Sequence, residues 1–316
     1  MITHLAHWTK GLKMQYLTTP AKYFEHLPNY PFSEKHVKID AISGMRMHFV
    51  DEGERNSPII LMLHGEPSWS FLYREMITVA VEAGFRVIAP DLIGFGKSDK
   101  PTSQESYTYA NHLIWLECFL EKLNLKNINL ICQDWGGLLG LRLVAKYPDK
   151  FLTVVAANTF LPTGDEGASD AFKKWQSYSQ TVTEFPVGSV IQNATCKALN
   201  EEIVNAYNAP FPTEEYKAGV RKFPLLVPTT PYNVESENNR QAWLCLNEFN
   251  KPFLTVFGDS DPITKGAEKA LQHRIPGCIG QNHIILPKGG HFLQEDVGKA
   301  LITASINFYK HNNKED

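Results

Sequence analysis

Short apolar runs alternate with longer stretches whose apolar positions recur at helical spacing, and this rhythm governs most of the chain. Residues 46–50 and 59–63 read as strands, the second running into the turn His64-Gly65-Glu66-Pro67. Residues 70–83 read as a helix ending at Gly84, and 86–90 as another short strand. Across 107–123, Leu113, Leu116, Leu120 and Leu123 form one apolar stripe, as a helix packed on a core requires. Residues 128–132 form an apolar run of the kind expected for a strand buried on both faces. The helix expected next, 138–146, is stopped by Tyr147-Pro148, and 153–157 is a further strand. Alternation of this kind predicts the α/β class: a mostly parallel, doubly wound sheet with helices on both sides.

The rhythm lapses between 161 and 228, where strands are absent, aromatic and polar residues are frequent, and prolines stand at 162, 186, 210, 212, 224 and 228. It resumes with strands at 253–257 and 284–286, each followed by a helix-like segment. The simplest organisation is one core domain, 14–160 and 229–316, with a helical cap at 161–228 inserted after the sixth strand. Residues 1–13 read as an N-terminal extension, with Met14 as an alternative start. Ligands of such sheets bind beyond the carboxyl ends of the strands, so the insertion is expected to roof that crevice.

Composition narrows the function classes. The hydrophobic share of 43% and charged share of 21% are ordinary for a globular chain of 316 residues. A net charge of −3 without a basic run argues against nucleic acid or an anionic membrane as partner. No apolar stretch approaches the roughly 20 residues of a membrane span, and residues 1–13 lack a signal core. Cys118, Cys132, Cys196, Cys245 and Cys278 are scattered, without a C-x-x-C pair; they read as small buried hydrophobes in a reducing cytoplasm. The 11 histidines include no His-Glu-x-x-His, and Asp91 stands where a phosphate-binding loop ending in Gly96-Lys97-Ser98 would begin with glycine. No metal or cofactor is therefore expected.

The candidate chemistry starts at Ile128-Asn129-Leu130-Ile131-Cys132-Gln133-Asp134-Trp135-Gly136-Gly137. An apolar strand breaking sharply into a helix is the layout of a nucleophile elbow, and Asp134 stands at its tip in place of serine. A hydroxyl needs a base to become nucleophilic, whereas a carboxylate at neutral pH is already an anion. Such an anion suits displacement at a saturated carbon bearing a good leaving group, which leaves an alkyl ester on the protein. The bland alternative is a helix N-cap. Asp261 follows the strand at 253–257, with Asp259 as its rival, and His291 follows the strand at 284–286. The order acid, acid, histidine after three separate strands is that of a Ser-acid-His triad with Asp replacing Ser.

With His64-Gly65-Glu66-Pro67-Ser68-Trp69, Asp91-Leu92-Ile93-Gly94-Phe95-Gly96-Lys97-Ser98, Cys132-Gln133-Asp134-Trp135-Gly136-Gly137 and Gly290-His291, the chain resembles the haloalkane dehalogenases from about Met14 onward. Glu66, where another branch has Asn, resembles the branch that takes its second halide-binding tryptophan from the roof. The resemblance implies an α/β-hydrolase fold and hydrolysis of a small haloalkane by water to alcohol and halide. It implies Asp134 as nucleophile, His291 as base and Asp261 as its partner. It also implies the backbone N–H groups of Glu66 and Trp135 as oxyanion donors, Trp135 and Trp175 as halide ligands, and Phe172 as pocket lining. Trp69 competes with Trp175. A monomer is expected. An epoxide hydrolase of the same fold is the nearest alternative, kept open by Tyr178, Tyr207, Tyr216 and Tyr232; Gln133 and the Trp135/Trp175 pair weigh against it. A non-catalytic ligand-binding member of the fold matches an intact Asp/Asp/His set poorly.

Overall fold

The computed structural model of the chain describes residues 14–40 and 43–312; the expected extension at 1–13 lies outside them. Eight strands build the main sheet: β1 (Lys35–Lys38), β2 (Arg46–Glu52), β3 (Ile59–Leu63), β4 (Arg86–Pro90), β5 (Ile128–Gln133), β6 (Phe151–Ala157), β7 (Phe253–Gly258) and β8 (Ile284–Leu286). Their spatial order is β8-β7-β6-β5-β3-β4-β2-β1. From β4 to β8 the neighbours run parallel, whereas β1 with β2 and β2 with β4 are antiparallel. This is the mostly parallel α/β sheet the alternation predicts. Strand β1 was not expected: Lys35-His36-Val37-Lys38 is a polar, partly exposed edge strand and carries no apolar alternation.

Every residue of β5 and β7 is buried, because helices cover both faces of the sheet. Helix α1 (Arg74–Glu82) is shorter than expected, its first turn Ser70–Tyr73 being a 3-10 helix. Helix α2 (Tyr109–Lys122) starts where the Thr108 hydroxyl accepts the Asn111 N–H at 3.0 Å, which trims the expected helix by two residues. Helix α3 (Trp135–Lys146) begins three residues before the expected 138. Its Gly136-Gly137 pair is helical because the helix lies hard against the sheet. A methyl at Gly136 would overlap the Leu63 carbonyl, and one at Gly137 the Thr159 side chain.

Between β6 and β7 lie α4 (Asp170–Thr181), α5 (Val187–Asn193), α6 (Glu201–Asn208) and α7 (Ala218–Leu226), all within 161–228. Then come α8 (Ser236–Leu246), which packs on α3, and, after β7, α9 (Ala267–Arg274). The C-terminal α10 (Leu293–Asn312) is broken at Val297, whose φ of −137° interrupts the helix after one turn.

Strands β3 and β5 are neighbours in register, Leu63 beside Cys132. The turns that follow them, at His64–Pro67 and at Asp134, therefore emerge side by side where the sheet's strand order reverses. The cysteines depart from expectation. Cys132 and Cys278 are buried and Cys118 half-buried, but Cys196, in the turn after α5, and Cys245, near the end of α8, are exposed.

Candidate active site

Asp134 occupies a sparsely allowed backbone conformation, φ 49° and ψ −124°. A non-glycine residue holds such a conformation, at a cost of about 1–3 kcal/mol, only where the surroundings impose it. Here its N–H donates to the Asn158 carbonyl at 3.1 Å. Its carbonyl accepts from Gly137 N–H at 2.8 Å, Leu138 N–H at 3.1 Å and the Thr159 hydroxyl at 2.8 Å. The turn is thus closed by main chain and Thr159, and the Asp134 side chain makes no capping bond to α3. Its Oδ1 instead accepts the Glu66 N–H at 2.8 Å. Gly65 makes room for this approach, since a methyl there would overlap Asp134 Cβ and Oδ1. The Trp135 N–H, the other expected oxyanion donor, forms no hydrogen bond to this carboxylate among the described residues.

His291 reaches the same spot from the end of β8. Its Nε2 lies 3.5 Å from Asp134 Oδ2, and its Nδ1 is 3.1 Å from Asp261 Oδ2. Asp261 is held in turn by the Ile263 N–H at 2.8 Å, the Thr264 N–H at 3.3 Å and the Thr264 hydroxyl. Asp259, the rival acid, bonds the Ser260 hydroxyl and Lys288 N–H and stays out of the site. Side-chain exposure rises from 1% at Asp261 through 8% at His291 to 19% at Asp134, so access is from the Asp134 side.

The charges follow from this packing. Burial alone would lower the His291 pKa, but Asp261 and Asp134 outweigh it and hold the imidazole up at about 10. Burial would raise Asp261, yet the charge and hydrogen bond of His291, with Thr264 and Ile263, keep it below the usual carboxylate range. Glu66 differs: burial first, then the Asp134 charge, push its carboxyl well above the ordinary value. The site therefore sets Asp134 and Asp261 around one imidazolium, beside the buried Glu66 carboxyl.

Two amides hold His291 in place: Asn158, which sequence reading passed over, and Gln133, weighed there only against epoxide hydrolysis. Asn158 Nδ2 donates to the Gly290 carbonyl at 2.8 Å and the His291 carbonyl at 3.1 Å, while its Oδ1 accepts Gly258 N–H at 2.8 Å. Gln133 Nε2 donates to the His291 carbonyl at 3.1 Å. The signal was available: both stand at the carboxyl ends of strands, β6 and β5, where a buried amide has few uses besides bonding a neighbouring loop.

A cavity of about 670 Å³ opens above Asp134 and His291. Its walls join the strand ends to the inserted helices and include Trp135, Leu138, Phe172, Trp175, Tyr178 and Val227. The Trp135 ring is fixed by Tyr109, 5.3 Å between centroids, and by Phe223 of α7 at 4.6 Å. Trp69 is fully buried, does not line the cavity, and spends its N–H on the Ala206 carbonyl at 3.3 Å. Among the described residues no protein acceptor takes the indole N–H of Trp135 or Trp175. The arrangement can aim a carboxylate at a carbon atom in an apolar chamber, hold an imidazole beside it and offer neutral N–H donors to an anion.

Residues 58–296 match the family model of the alpha/beta hydrolase fold. The chain is 50% identical to a haloalkane dehalogenase of Psychrobacter cryohalolentis, over 95% of this chain and 99% of that one. It is 44% identical to a haloalkane dehalogenase of Mycolicibacterium paratuberculosis, over 91% of this chain and 96% of that one. Among solved structures, the tetrameric haloalkane dehalogenase of Paraglaciecola agarilytica superposes with a TM-score of 0.88 at 33% identity, covering 96% of this chain and all of that one.

Proposed function

The chain belongs to the haloalkane dehalogenases, hydrolases of the α/β-hydrolase fold that act on carbon–halide bonds, and from that premise we propose that it turns haloalkanes into alcohol and halide through an alkyl ester on Asp134. In the first step an Asp134 oxygen bonds the halogen-bearing carbon, and the carbon–halogen electron pair leaves with the halide. Halide needs no proton to depart, so no general acid takes part. In the second step water attacks the Asp134 carboxyl carbon and His291 Nε2 takes its proton. The acyl carbon–oxygen bond breaks, the departing alkoxide takes that proton back from His291 and leaves as alcohol, and the new Asp134 carboxyl releases its remaining proton to solvent, restoring the carboxylate. Asp261 holds the imidazole and balances its charge.

The Glu66 and Trp135 N–H groups serve the oxyanion of this step, where one such donor contributes about 3 kcal/mol. The indole N–H groups of Trp135 and Trp175 receive the departing halide, and Phe172 lines the path of the alkyl chain. One observation carries this reading: the Asp134 carboxylate stands in an apolar cavity, uncommitted to any helix cap and 3.5 Å from His291 Nε2.

Opening an epoxide would require a proton for the alkoxide. Of the tyrosines considered for that task, Tyr178 alone lines the cavity; Tyr207 is bonded to Glu295 and Tyr232 is 94% exposed. These positions weigh against epoxide hydrolysis. Purified protein offered 1-bromoalkanes of graded length is expected to release bromide and alcohol in equal amounts, and no diol from styrene oxide. Diol formation without bromide would overturn the proposal.

The halide site has its own test. Trp175→Phe should weaken bromide product inhibition by about 10-fold, the worth of one hydrogen bond to a charged group. Trp69→Phe should leave it within about 2-fold, because that N–H is already engaged by Ala206. The opposite ranking would move the halide site to Trp69.

A further inference from the structure

His291 is held from two directions, and only one of them belongs to the sheet. Gln133 and Asn158 bond its carbonyl from strand ends. Its N–H points the other way and donates at 2.8 Å to the carbonyl of Ala194, in the turn that follows α5 of the helical insertion. That turn is in turn fastened by one carboxylate, beside the bond from Lys197 Nζ to the Glu295 carbonyl at 3.1 Å. Asp296 Oδ2 accepts the Cys196 N–H at 2.9 Å and the Gly290 N–H at 2.8 Å, and its Oδ1 accepts the Lys197 N–H at 2.8 Å. Two of these donors are in the insertion and the third is the residue before His291.

Asp296 does not line the cavity above Asp134. It reaches both partners because α10 breaks at the next residue, Val297. The fit is close: a methyl at Gly290 would sit 2.6 Å from the Ala194 carbonyl oxygen and 3.0 Å from Asp296 Oδ2.

We infer that Asp296 is a positioning residue, clasping the helical insertion to the His291 loop so that Nε2 is aimed for the attack of water on the ester. The inference rests on the proposed ester mechanism. The clasp matters unequally for the two chemical steps. Alkylation uses Asp134 and the halide donors, none of which Asp296 touches. Hydrolysis uses His291 as base, and a base displaced by a fraction of an ångström loses rate steeply.

Asp296→Asn keeps shape and volume but replaces one accepting oxygen by an NH2, so a backbone N–H must face a donor. With enzyme in excess over a bromoalkane, bromide release reports ester formation and alcohol release reports ester decay. Asp296→Asn is expected to slow decay by about 10-fold while formation stays within about 3-fold, so that kcat falls and kcat/KM does not. The alkyl ester should then accumulate in the intact mass. Gly290→Ala, which pushes the Ala194 carbonyl from the other side, is expected to give the same signature and serves if the first variant does not fold.

Equal loss in both steps, or a lowered Tm with both steps unchanged per folded molecule, would overturn the inference and leave the ester mechanism standing. Wild-type protein that releases no bromide would overturn both.

Discussion

Asp134→Ala is expected to abolish bromide release, by about 10⁵-fold or to the limit of detection, in a protein that still folds. The magnitude follows from removing the atom that forms the new bond: losing a nucleophile costs the whole covalent route, leaving what the remaining cavity can do with water. Folding should survive, because the turn at 134 is closed by its own main chain and by Thr159, not by the carboxylate. The side chain's hydrogen bond is from Glu66 N–H, beside a cavity that admits water to that donor. Bromide release by Asp134→Ala within about 10-fold of wild type would remove the ester from the mechanism. A variant without secondary structure by circular dichroism would show that the carboxylate holds the elbow together.

His291→Gln should separate the two steps. Alkylation needs no proton transfer, so one equivalent of bromide per protein is expected to appear at a rate near that of wild type. Turnover should then stop, with ester hydrolysis slowed by about 10³-fold or more, and the alkyl group should be recovered on the peptide containing Asp134. Continued turnover without accumulation would assign the base elsewhere.

The same residue predicts a pH dependence. In the free protein two carboxylates keep His291 protonated to about pH 10. In the proposed mechanism, esterification of Asp134 would remove one of those negative charges, making the imidazolium less favoured and lowering its pKa. On that proposal the base is released when it is needed. Ester decay in a single turnover should rise with pH through a midpoint below 10, whereas ester formation should be flat across neutral pH. A midpoint unchanged from that of the free protein would mean that Asp134 does not govern the titration.

How much of this was legible in one dimension differs by residue. Asp134, Asp261 and His291 could be nominated because each follows an apolar run at a turn, and parallel sheets collect such turns at one edge. The choice of Asp261 over Asp259 rested on resemblance; the structure separates them by direction, one toward His291 and the other toward Lys288. The helix expected from 138 begins at Trp135 and takes in Gly136-Gly137, because glycine's meaning depends on what lies opposite, here the Leu63 carbonyl and Thr159. Edge strand β1 and the exposed Cys196 and Cys245 were missed for a similar reason: each depends on where an element lies in the molecule.

From the sequence alone came whatever depends on neighbours along the chain. The 2- and 3.6-residue periodicities, the turn residues and the charge balance determined an α/β sheet with a helical interruption and three acid or imidazole groups at strand ends. Tertiary structure alone decided what depends on neighbours across it. It brought His291 Nε2 within 3.5 Å of a residue 157 positions earlier, left the Trp175 N–H without an acceptor among the described residues while engaging that of Trp69, and pushed the Glu66 carboxyl well above its ordinary range. Hydrogen bonds fall off within a few ångströms and desolvation depends on everything packed around a group, so neither can be summed from sequence spacing.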